Sequence, residues 1–488
     1  MTDAPPPSAP AAPQDQVSVT HHTLHLNGRE LRYTATAGTM VLHEERLKEG
    51  AVEGARPQAE LFFVAYALED QDAATRPLTF SFNGGPGSSS VWLHLGLLGP
   101  RRVVMGDAGQ LTGPPYQLTD NEFTLLLHSD LVFIDPVSTG YSRATEGNKP
   151  ADFHGFQPDI ETVGEFIRLW TTRAERWLSP KFLIGESYGT TRAAALSGHL
   201  QERHGLFLNG IMLVSSILDF STVDFTPGHD LAYVLHFPTY AATAWYHGRL
   251  DPTRTLPEVL QEAEAFAAGE YHQGLFRGAR LTDEERQRLA QTYARLTGLD
   301  EAFVLRHDLR VPLDRYTKEL LRTQARTVGR LDSRFTGMDR NAGGGEYEYD
   351  PSMSAIVGPY TAAINHLLRH ELGYRSDLPY EVLTGRVWPW SYREFENRHV
   401  RVSDTLRGAM HRNPHLKVYV GSGYFDFATP YFATRHTLDH LALDPALHGN
   451  IREHTYEAGH MMYVHGPSLA QQSQDLASFI GWATGQDS

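Results

Sequence analysis

The sequence contains no cysteine, which excludes disulfide bonds and thiolate metal sites. Positive charge is also scarce: 43 Lys and Arg residues stand against 58 Asp and Glu residues, and the formal net charge is −15 at pH 7. Binding to nucleic-acid phosphates needs concentrated Lys and Arg, so we expect no nucleic-acid partner. Long apolar runs are missing too, and the sequence therefore predicts no membrane-spanning helix.

Signals for export are absent as well. Residues 1–18 are rich in Pro and Ala and contain neither the basic segment nor the apolar segment of a secretory signal, so we predict a disordered leader there. The chain has no Asn-X-Ser/Thr acceptor for glycosylation. Together with the lack of cysteine, these features favour a cytoplasmic location.

The order of apolar patterns predicts an α/β protein. Alternating segments in residues 17–70 are typical of antiparallel strands at the edge of a sheet. Short buried runs that end in Gly, Pro or small residues then alternate with helical patterns, which indicates a doubly wound, mostly parallel sheet. Helical patterns without intervening strands fill residues 226–375. We therefore predict a core formed by residues 19–225 and 376–488, with a helical cap inserted at 226–375.

The segment Gly185-Glu186-Ser187-Tyr188-Gly189 carries the strongest chemical signal. It follows an apolar run and precedes a helix-compatible run, which is the context of the Gly-X-Ser-X-Gly nucleophile elbow. Glycines relieve crowding in such a strained turn and leave the serine hydroxyl exposed. The alternative interpretation is an ordinary strand-to-helix turn.

Two further residues follow later predicted strands. Asp426 lies after the next-to-last strand run, and His460 lies after the last one. Because ligands of open α/β sheets bind at the carboxyl ends of the strands, we expect both to meet Ser187. The order Ser187, Asp426, His460 is that of the α/β-hydrolases. His460 would accept the serine proton, and Asp426 would orient the imidazole and stabilise its cation.

Other residues compete for the roles of base and acid. His454 and His465 flank the predicted base, and Asp439 and Asp444 follow the predicted acid. The position of His460 directly after a strand, beside a glycine, favours it over its neighbours. The two aspartates lie in a helix-like stretch beyond the strand end, which makes them weaker candidates.

The glycine-rich segment Asn83–Ser90 follows the strand run LTFSF. Closely spaced glycines let backbone N–H groups turn toward a ligand, as in an oxyanion hole, and the N–H of Tyr188 is the expected second donor. A Walker A loop would need Gly-Lys-Ser/Thr, and a dinucleotide loop would need G-x-G-x-x-G; this segment has neither. A plain tight turn is the remaining alternative.

Metal chemistry receives no support from the sequence. His366 and His370 are four residues apart and Glu371 is adjacent, but the pattern is not H-E-x-x-H. An exposed helical face is the better interpretation. We therefore predict no metal site and no cofactor.

The segments FNGGPGSSS, FIDPVSTGYS, IGESYG, GYFDFATP and AGHMMY together resemble the serine carboxypeptidase family of the α/β-hydrolases. They occur in the family's order and span residues 82–190 and 420–465. The resemblance implies the α/β-hydrolase fold with a helical cap. It also implies a serine-type carboxypeptidase that removes C-terminal residues from peptides with a free C-terminus through an acyl-enzyme.

The resemblance assigns roles residue by residue. It makes Ser187 the nucleophile, Asp426 the orienting acid and His460 the base. Gly85 and Tyr188 match the positions of the two oxyanion-hole donors.

Asn83, Gly84 and Glu186 match the positions that bind the C-terminal carboxylate of the substrate. Two carboxyl groups at hydrogen-bonding distance cannot easily both be ionised, so they would share a proton. The resemblance therefore implies better peptidase activity at acidic pH. The alternative is that Glu186 is a structural acid paired with an arginine.

Two positions depart from the family pattern. Ser88 stands where members typically have a cysteine, so the usual disulfide is absent. Leu97 stands where many members have a second glutamate that pairs with the one before the serine. Without that partner, we expect an optimum closer to neutral pH.

The fold and the triad alone leave the substrate open. An aminopeptidase, an esterase or an acyltransferase could use the same residues. A non-catalytic binding module is a third kind of protein built on this fold, although all three triad residues are present. The sequence predicts no oligomeric state.

Overall fold

The computed structural model of the chain describes residues 13–26, 28–48, 51–341 and 343–485. The first twelve residues of the predicted leader lie outside this description. Strand β1 begins at Gln16, so the end of the predicted leader at residue 18 is wrong. Residues 16–18 pair with residues 37–39 of β2 and extend the antiparallel ladder between the two strands.

Within the described residues, strands form one large sheet and two small two-stranded sheets. Their bounds are β1 Gln16–Leu26, β2 Arg29–Lys48, β3 Ala51–Leu68, β4 Leu78–Phe82, β5 Arg101–Val103, β6 Leu118–Asp120, β7 Asp130–Ile134, β8 Arg143–Ala144, β9 Lys181–Ser187, β10 Gly210–Ser216, β11 Arg326–Val328, β12 Thr336–Met338, β13 Lys417–Gly423 and β14 Ile451–Tyr456.

The α-helices lie between and beyond these strands. Their bounds are α1 Val91–Leu93, α2 Phe156–Arg173, α3 Tyr188–His204, α4 Leu231–Tyr246, α5 Leu256–Phe266, α6 His272–Arg277, α7 Asp283–Thr297, α8 Glu301–Arg306, α9 Leu313–Glu319, α10 Pro351–His366, α11 Ser403–Arg412, α12 Tyr431–Asp439 and α13 Gly466–Thr484. None of these described helices is long and apolar enough to cross a membrane.

The large sheet is mixed and mostly parallel, as predicted. Its described strands run in the order β1-β2-β3-β7-β4-β9-β10-β13-β14, and β8 pairs with β3. The first three strands form an antiparallel edge, and β3 joins β7 in antiparallel register. From β7 to β14 every pairing is parallel. The predicted antiparallel edge and parallel centre are both confirmed.

The central strands are short and apolar because both of their faces are covered. Every residue of β4, β7 and β10 is buried. In β9, Phe182 and Ile184 pack in one hydrophobic cluster with α10 and α13. Leu183, which points to the opposite face, packs in a second cluster with α2, α3 and α11. The sheet is thus the middle of three layers.

Helices α4 to α9 form a separate helical layer with its own core. Most of their buried side chains make one cluster that extends to Val328 and includes Phe427 from the loop after β13. Helix α7 begins with a capping box: the Thr282 hydroxyl accepts the Glu285 N–H, and the Glu285 carboxylate accepts the Thr282 N–H.

Helix α10 differs from the rest of the predicted cap. Its buried residues Ile356, Tyr360 and Ile364 belong to the cluster on the main sheet. Helix α10 covers the sheet because its apolar side chains contact those of α1 and of the helical turn His94–Leu98, which follows α1. The helical layer defined by packing is therefore shorter than the range 226–375, and the rest of the domain division stays a prediction.

Candidate active site

The turn after β9 is strained in the way that the Gly-X-Ser-X-Gly pattern predicts. Ser187 has φ 59° and ψ −129°, and α3 begins at the next residue. A Cβ at Gly185 would lie 2.1 Å from the carbonyl oxygen of Gly189, and a Cβ at Gly189 would lie 2.9 Å from that of Phe82. Because only glycine fits at either place, the backbone can turn sharply and leave Ser187 half-buried at the strand end.

The glycine-rich loop after β4 lies directly against this turn. A Cβ at Gly84 would come within 2.5 Å of the backbone nitrogen of Tyr188. Gly85 has φ 103°, a left-handed conformation that favours glycine. Gly85, Ser187 and Tyr188 all line one pocket. The two predicted oxyanion donors and the predicted nucleophile therefore lie together.

Asp426 is buried and fully hydrogen-bonded in the loop after β13. Its Oδ1 accepts the backbone N–H groups of Ala428 at 2.8 Å and Thr429 at 3.1 Å. Its Oδ2 accepts the Thr429 hydroxyl at 2.7 Å and Nδ1 of His460 at 2.8 Å. These bonds fix the imidazole orientation and leave Nε2 as the ring nitrogen that can accept a proton.

The environment of His460 favours its protonated form. Burial lowers the pKa of this imidazole, but the charge and hydrogen bond of Asp426, together with the charge of Glu186, outweigh it, so the pKa is raised above its ordinary value. A base of this kind holds a proton firmly once it has accepted it from a nucleophile.

Glu186 is buried and held by two donors. The Asn83 side-chain amide donates to Oε1 at 3.0 Å, and the Tyr463 hydroxyl donates to Oε2 at 2.6 Å. Burial raises the pKa of Glu186 to about 7; the charge of His460 and the hydrogen bonds from Tyr463 and Asn83 oppose this rise. The group therefore changes its charge near neutral pH.

Tyr463 was not predicted from the sequence. The buried Leu97 has no polar group to offer, as expected, and the second oxygen of Glu186 is paired with this tyrosine instead. The only sequence signal is that Tyr463 follows His460 by three residues in AGHMMY. A tyrosine is a hydrogen-bond donor to the carboxylate, whereas a second glutamate would compete with it for a proton.

An arginine partner for Glu186 is not found among the described residues. The arginine buried beneath the site, Arg192, pairs instead with Asp159, with Nε 2.8 Å from Oδ2. Arg192 also donates from an Nη atom to the backbone oxygen of Asn83 at 2.6 Å, and its guanidinium lies 5.3 Å from the Tyr188 ring centre. This buried ion pair, which sequence reasoning missed, ties the glycine-rich loop to the elbow.

The competing acids and histidines lie elsewhere. Asp439 is the last residue of α12, and Asp444 accepts the N–H of Ala446 at the start of a short helical turn. His454 is 3.3 Å from Asp475. His465, the fourth competitor, bonds the Ser468 hydroxyl at the start of α13. Among these candidates, His460 and Asp426 are the histidine and acid that bond to each other, in the loops after β14 and β13.

The two histidines that were considered for a metal site stack on each other. The ring centres of His366 and His370 are 4.7 Å apart. In the part of the chain that the structure describes, no group of three or more His, Asp or Glu side chains is arranged to hold a metal ion.

A pocket of about 520 Å³ opens beside Ser187. Gly85 and Tyr188 line it, together with residues of the loop after β13, including Thr429. The helical layer contributes His236 from α4. The pocket is large enough for a side chain and part of the backbone of a peptide.

This fold, with Ser187 at the end of β9, Asp426 after β13 and His460 after β14, defines an α/β-hydrolase. Within that class, the chain belongs to the serine carboxypeptidase family, whose profile matches residues 45–327. The match contains Asn83 and Ser187. Asp426 and His460 lie beyond it, so their assignment depends on the geometry above.

Two curated relatives come from Arabidopsis thaliana. Serine carboxypeptidase-like 33 is 28% identical over 149 residues, which are 30% of this chain and 29% of the relative. Serine carboxypeptidase-like 45 is 24% identical over 175 residues, 34% of this chain and 35% of the relative. The chain thus matches about a third of the length of these relatives.

Among solved structures, the chain resembles the prohormone-processing carboxypeptidase Kex1(Δ)p from Saccharomyces cerevisiae. The TM-score is 0.56 at 17% identity, and the alignment covers 92% of this chain and 91% of the other. At this identity the likeness shows the fold alone, and it extends over most of the chain.

Proposed function

We propose that this protein is a serine carboxypeptidase that hydrolyses the C-terminal peptide bond of its substrates through an acyl-enzyme on Ser187. The observation that carries the proposal is the buried pair of Asn83 and Glu186 beside the elbow, with the pKa of Glu186 raised to about 7. A carboxyl group that is protonated near neutral pH can donate a hydrogen bond to a substrate carboxylate.

The triad supplies acyl transfer. Ser187 attacks the scissile carbonyl carbon while Nε2 of His460 takes the hydroxyl proton, and Asp426 stabilises the imidazolium that results. The backbone N–H groups of Gly85 and Tyr188 bind the oxyanion. His460 then returns the proton to the leaving amine, and a water molecule repeats the sequence to release the acyl group.

The carboxylate-binding residues explain why the last residue would be removed. The amide of Asn83, the backbone N–H of Gly84 and the protonated carboxyl of Glu186 are three donors that one carboxylate can accept. An ionised Glu186 would repel the substrate carboxylate. Binding therefore requires the protonated form, which prevails below pH 7 and is lost as the pH rises through the pKa.

The experiment that tests the proposal uses one peptide in three forms: unmodified, N-acetylated and C-terminally amidated. Each is incubated from about pH 4 to 8, a range chosen to span the loss of a shared carboxyl proton, and the products are identified by mass spectrometry. We expect stepwise loss of C-terminal residues from the unmodified and acetylated forms. The amidated form should be spared.

The opposite pattern would contradict the proposal. If acetylation blocks cleavage and amidation does not, the site binds an amine and the protein is an aminopeptidase. Hydrolysis of simple esters without cleavage of any peptide would leave an esterase or acyltransferase. A Ser187→Ala variant serves as the control for contaminating peptidases, because it lacks the nucleophile.

We further propose peptides with a free C-terminus as the partners and the cytoplasm as the location. The lack of cysteine in 488 residues supports a reducing compartment. Fractionation of cells that produce the full chain, followed by immunodetection, tests the location.

A further inference from the structure

The pocket beside Ser187 contains one arginine, Arg330, which the proposed reaction does not use. It lies two residues after β11, and its side chain is exposed. In the described part of the chain its guanidinium has neither a hydrogen bond nor an ion pair. A cation that faces a substrate pocket without a direct ion-pair partner is free to pair with an anionic group of the substrate.

The backbone around Arg330 is bonded to both loops that carry the predicted acid and base. Its carbonyl oxygen accepts the N–H of Phe427, the residue after Asp426, at 3.1 Å. The carbonyl oxygen of the next residue, Leu331, accepts the N–H of His460 at 2.6 Å. The position of Arg330 relative to the reacting atoms is therefore set by the same contacts that position the triad.

The charge of Arg330 influences the protonation of His460. It acts against the carboxylates that raise the pKa of His460. The acidic residue that also lines the pocket, Asp314, has Arg315 3.6 Å away, which offsets its charge. A further carboxylate, Asp350, lies close by, but its Oδ1 accepts the backbone N–H of Arg330 at 3.2 Å and the N–H and hydroxyl of Ser352. The Arg330 guanidinium is consequently a cation of the pocket with which no described carboxylate forms a direct ion pair.

The remainder of the pocket is largely apolar and aromatic. Phe220, Phe427, Trp388 and Tyr392 line it together with Tyr188. Such walls suit the aliphatic part of a side chain, whose charged end would reach Arg330 at the exposed side.

We propose that Arg330 makes this pocket a subsite for a substrate carboxylate, so that the enzyme favours an acidic side chain on the acyl side of the scissile bond. This inference rests on the proposed function. The C-terminal carboxylate has its own donors in Asn83 and Glu186, which leaves a side-chain carboxylate as the group for Arg330. Because Arg330 is exposed, the preference should be about five-fold.

The test compares N-benzyloxycarbonyl-Glu-Leu with N-benzyloxycarbonyl-Gln-Leu, which differ only in the charge of the acyl-side residue. At about pH 6.5 the glutamate side chain is ionised. We expect kcat/KM for the Glu substrate to exceed that for the Gln substrate about five-fold. In Arg330→Gln this ratio should fall to about one, and Arg330→Lys should retain part of it.

Arg280→Gln is the matched control. It removes the same charge from an exposed residue of the helical layer that does not line the pocket, and it should leave the ratio unchanged. A ratio near one in the unsubstituted protein would overturn the proposal, as would a ratio that survives in Arg330→Gln.

Two other results would also overturn the side-chain assignment. An equal loss on both substrates in Arg330→Gln would assign the arginine to the C-terminal carboxylate. A preference for N-benzyloxycarbonyl-Lys-Leu that disappears in Asp314→Asn would make the pocket a cation site.

Binding separates this inference from the proposed function. Ser187→Ala cannot form an acyl-enzyme, so calorimetry on this variant measures the affinity for both dipeptides without turnover. If the unsubstituted protein cleaves neither dipeptide but Ser187→Ala binds the Glu form about five-fold tighter, the subsite stands and the proposed function fails. Equal affinities would remove the subsite whether or not cleavage occurs.

Discussion

Raising the pH through the pKa of Glu186 is expected to abolish recognition of a substrate carboxylate but not the chemistry at Ser187. The pKa of this buried carboxyl is about 7. Below it Glu186 can donate a hydrogen bond to the substrate. Above it, two negative charges would lie side by side in a buried site, which disfavours binding strongly.

The size of the effect follows from the titration. Half of the enzyme carries the proton at pH 7, and about one part in eleven carries it at pH 8. Relative to the value for an ester that needs only His460, kcat/KM for a peptide with a free C-terminus should therefore fall about five-fold between these two pH values. Above pH 8 it should fall about ten-fold for each further unit.

The assay compares two substrates that form the same acyl-enzyme, N-benzyloxycarbonyl-Phe-Leu and the methyl ester of N-benzyloxycarbonyl-Phe. The ester has no carboxylate on its leaving group, so its rate should depend on deprotonation of His460 and show no descending limb near pH 7. In Glu186→Gln the amide cannot ionise, and the descending limb of the peptide should disappear as well. Circular dichroism at each pH checks that both proteins stay folded.

Identical pH profiles for the peptide and the ester would refute this reasoning. So would a descending limb near pH 7 that persists in Glu186→Gln. Either result would mean that the carboxylate of the substrate does not meet Glu186.

Three further substitutions have defined outcomes. Asp426→Asn should lower kcat about 10⁴-fold with little change in KM, because the imidazole loses its fixed tautomer; steady-state kinetics on the ester measures this. Tyr463→Phe removes a hydrogen bond to the ionised form of Glu186, so the descending limb should move up by about one to two pH units. Gly185→Ala places a Cβ 2.1 Å from a carbonyl oxygen and should reduce the free energy of unfolding by about 3 kcal/mol, as measured by urea denaturation.

The strands and the elbow could be predicted because their signals are local. A fully buried strand such as β4 or β7 must be largely apolar on both faces, and the turn after β9 must carry glycines where a Cβ would strike backbone atoms. These constraints act between residues a few positions apart. The sequence around Ser187 therefore predicts the strand, the turn and the helix.

The partners of Glu186 and Asn83 could not be predicted, since they come from distant parts of the chain. Tyr463 is 277 residues away from Glu186 in sequence, and no local pattern links them. Arg192 and Asp159 are both helical residues whose side chains meet only after α2 and α3 pack on the sheet. Such contacts depend on the three-dimensional arrangement of elements.

The extent of the helical layer depends on packing for a different reason. Helical periodicity describes one helix at a time and does not say which surface the helix covers. The pattern of α10 predicts a helix, as the patterns before it do, yet Tyr360 packs on the sheet beside Trp92, with ring centres 5.0 Å apart. The boundary of the helical layer is a property of packing.

Glu186 and His460 have opposite requirements in the proposed mechanism, since the first must carry a proton and Nε2 of the second must not. Each charge stabilises the other, which favours the inverse arrangement, with Glu186 ionised and the proton on the imidazole. The two arrangements contain the same number of protons, and no change of pH converts one into the other. A substrate carboxylate that binds beside Glu186 can convert one arrangement into the other, because its negative charge disfavours the ionised form of Glu186. The substrate thereby selects the proton arrangement that its own hydrolysis requires.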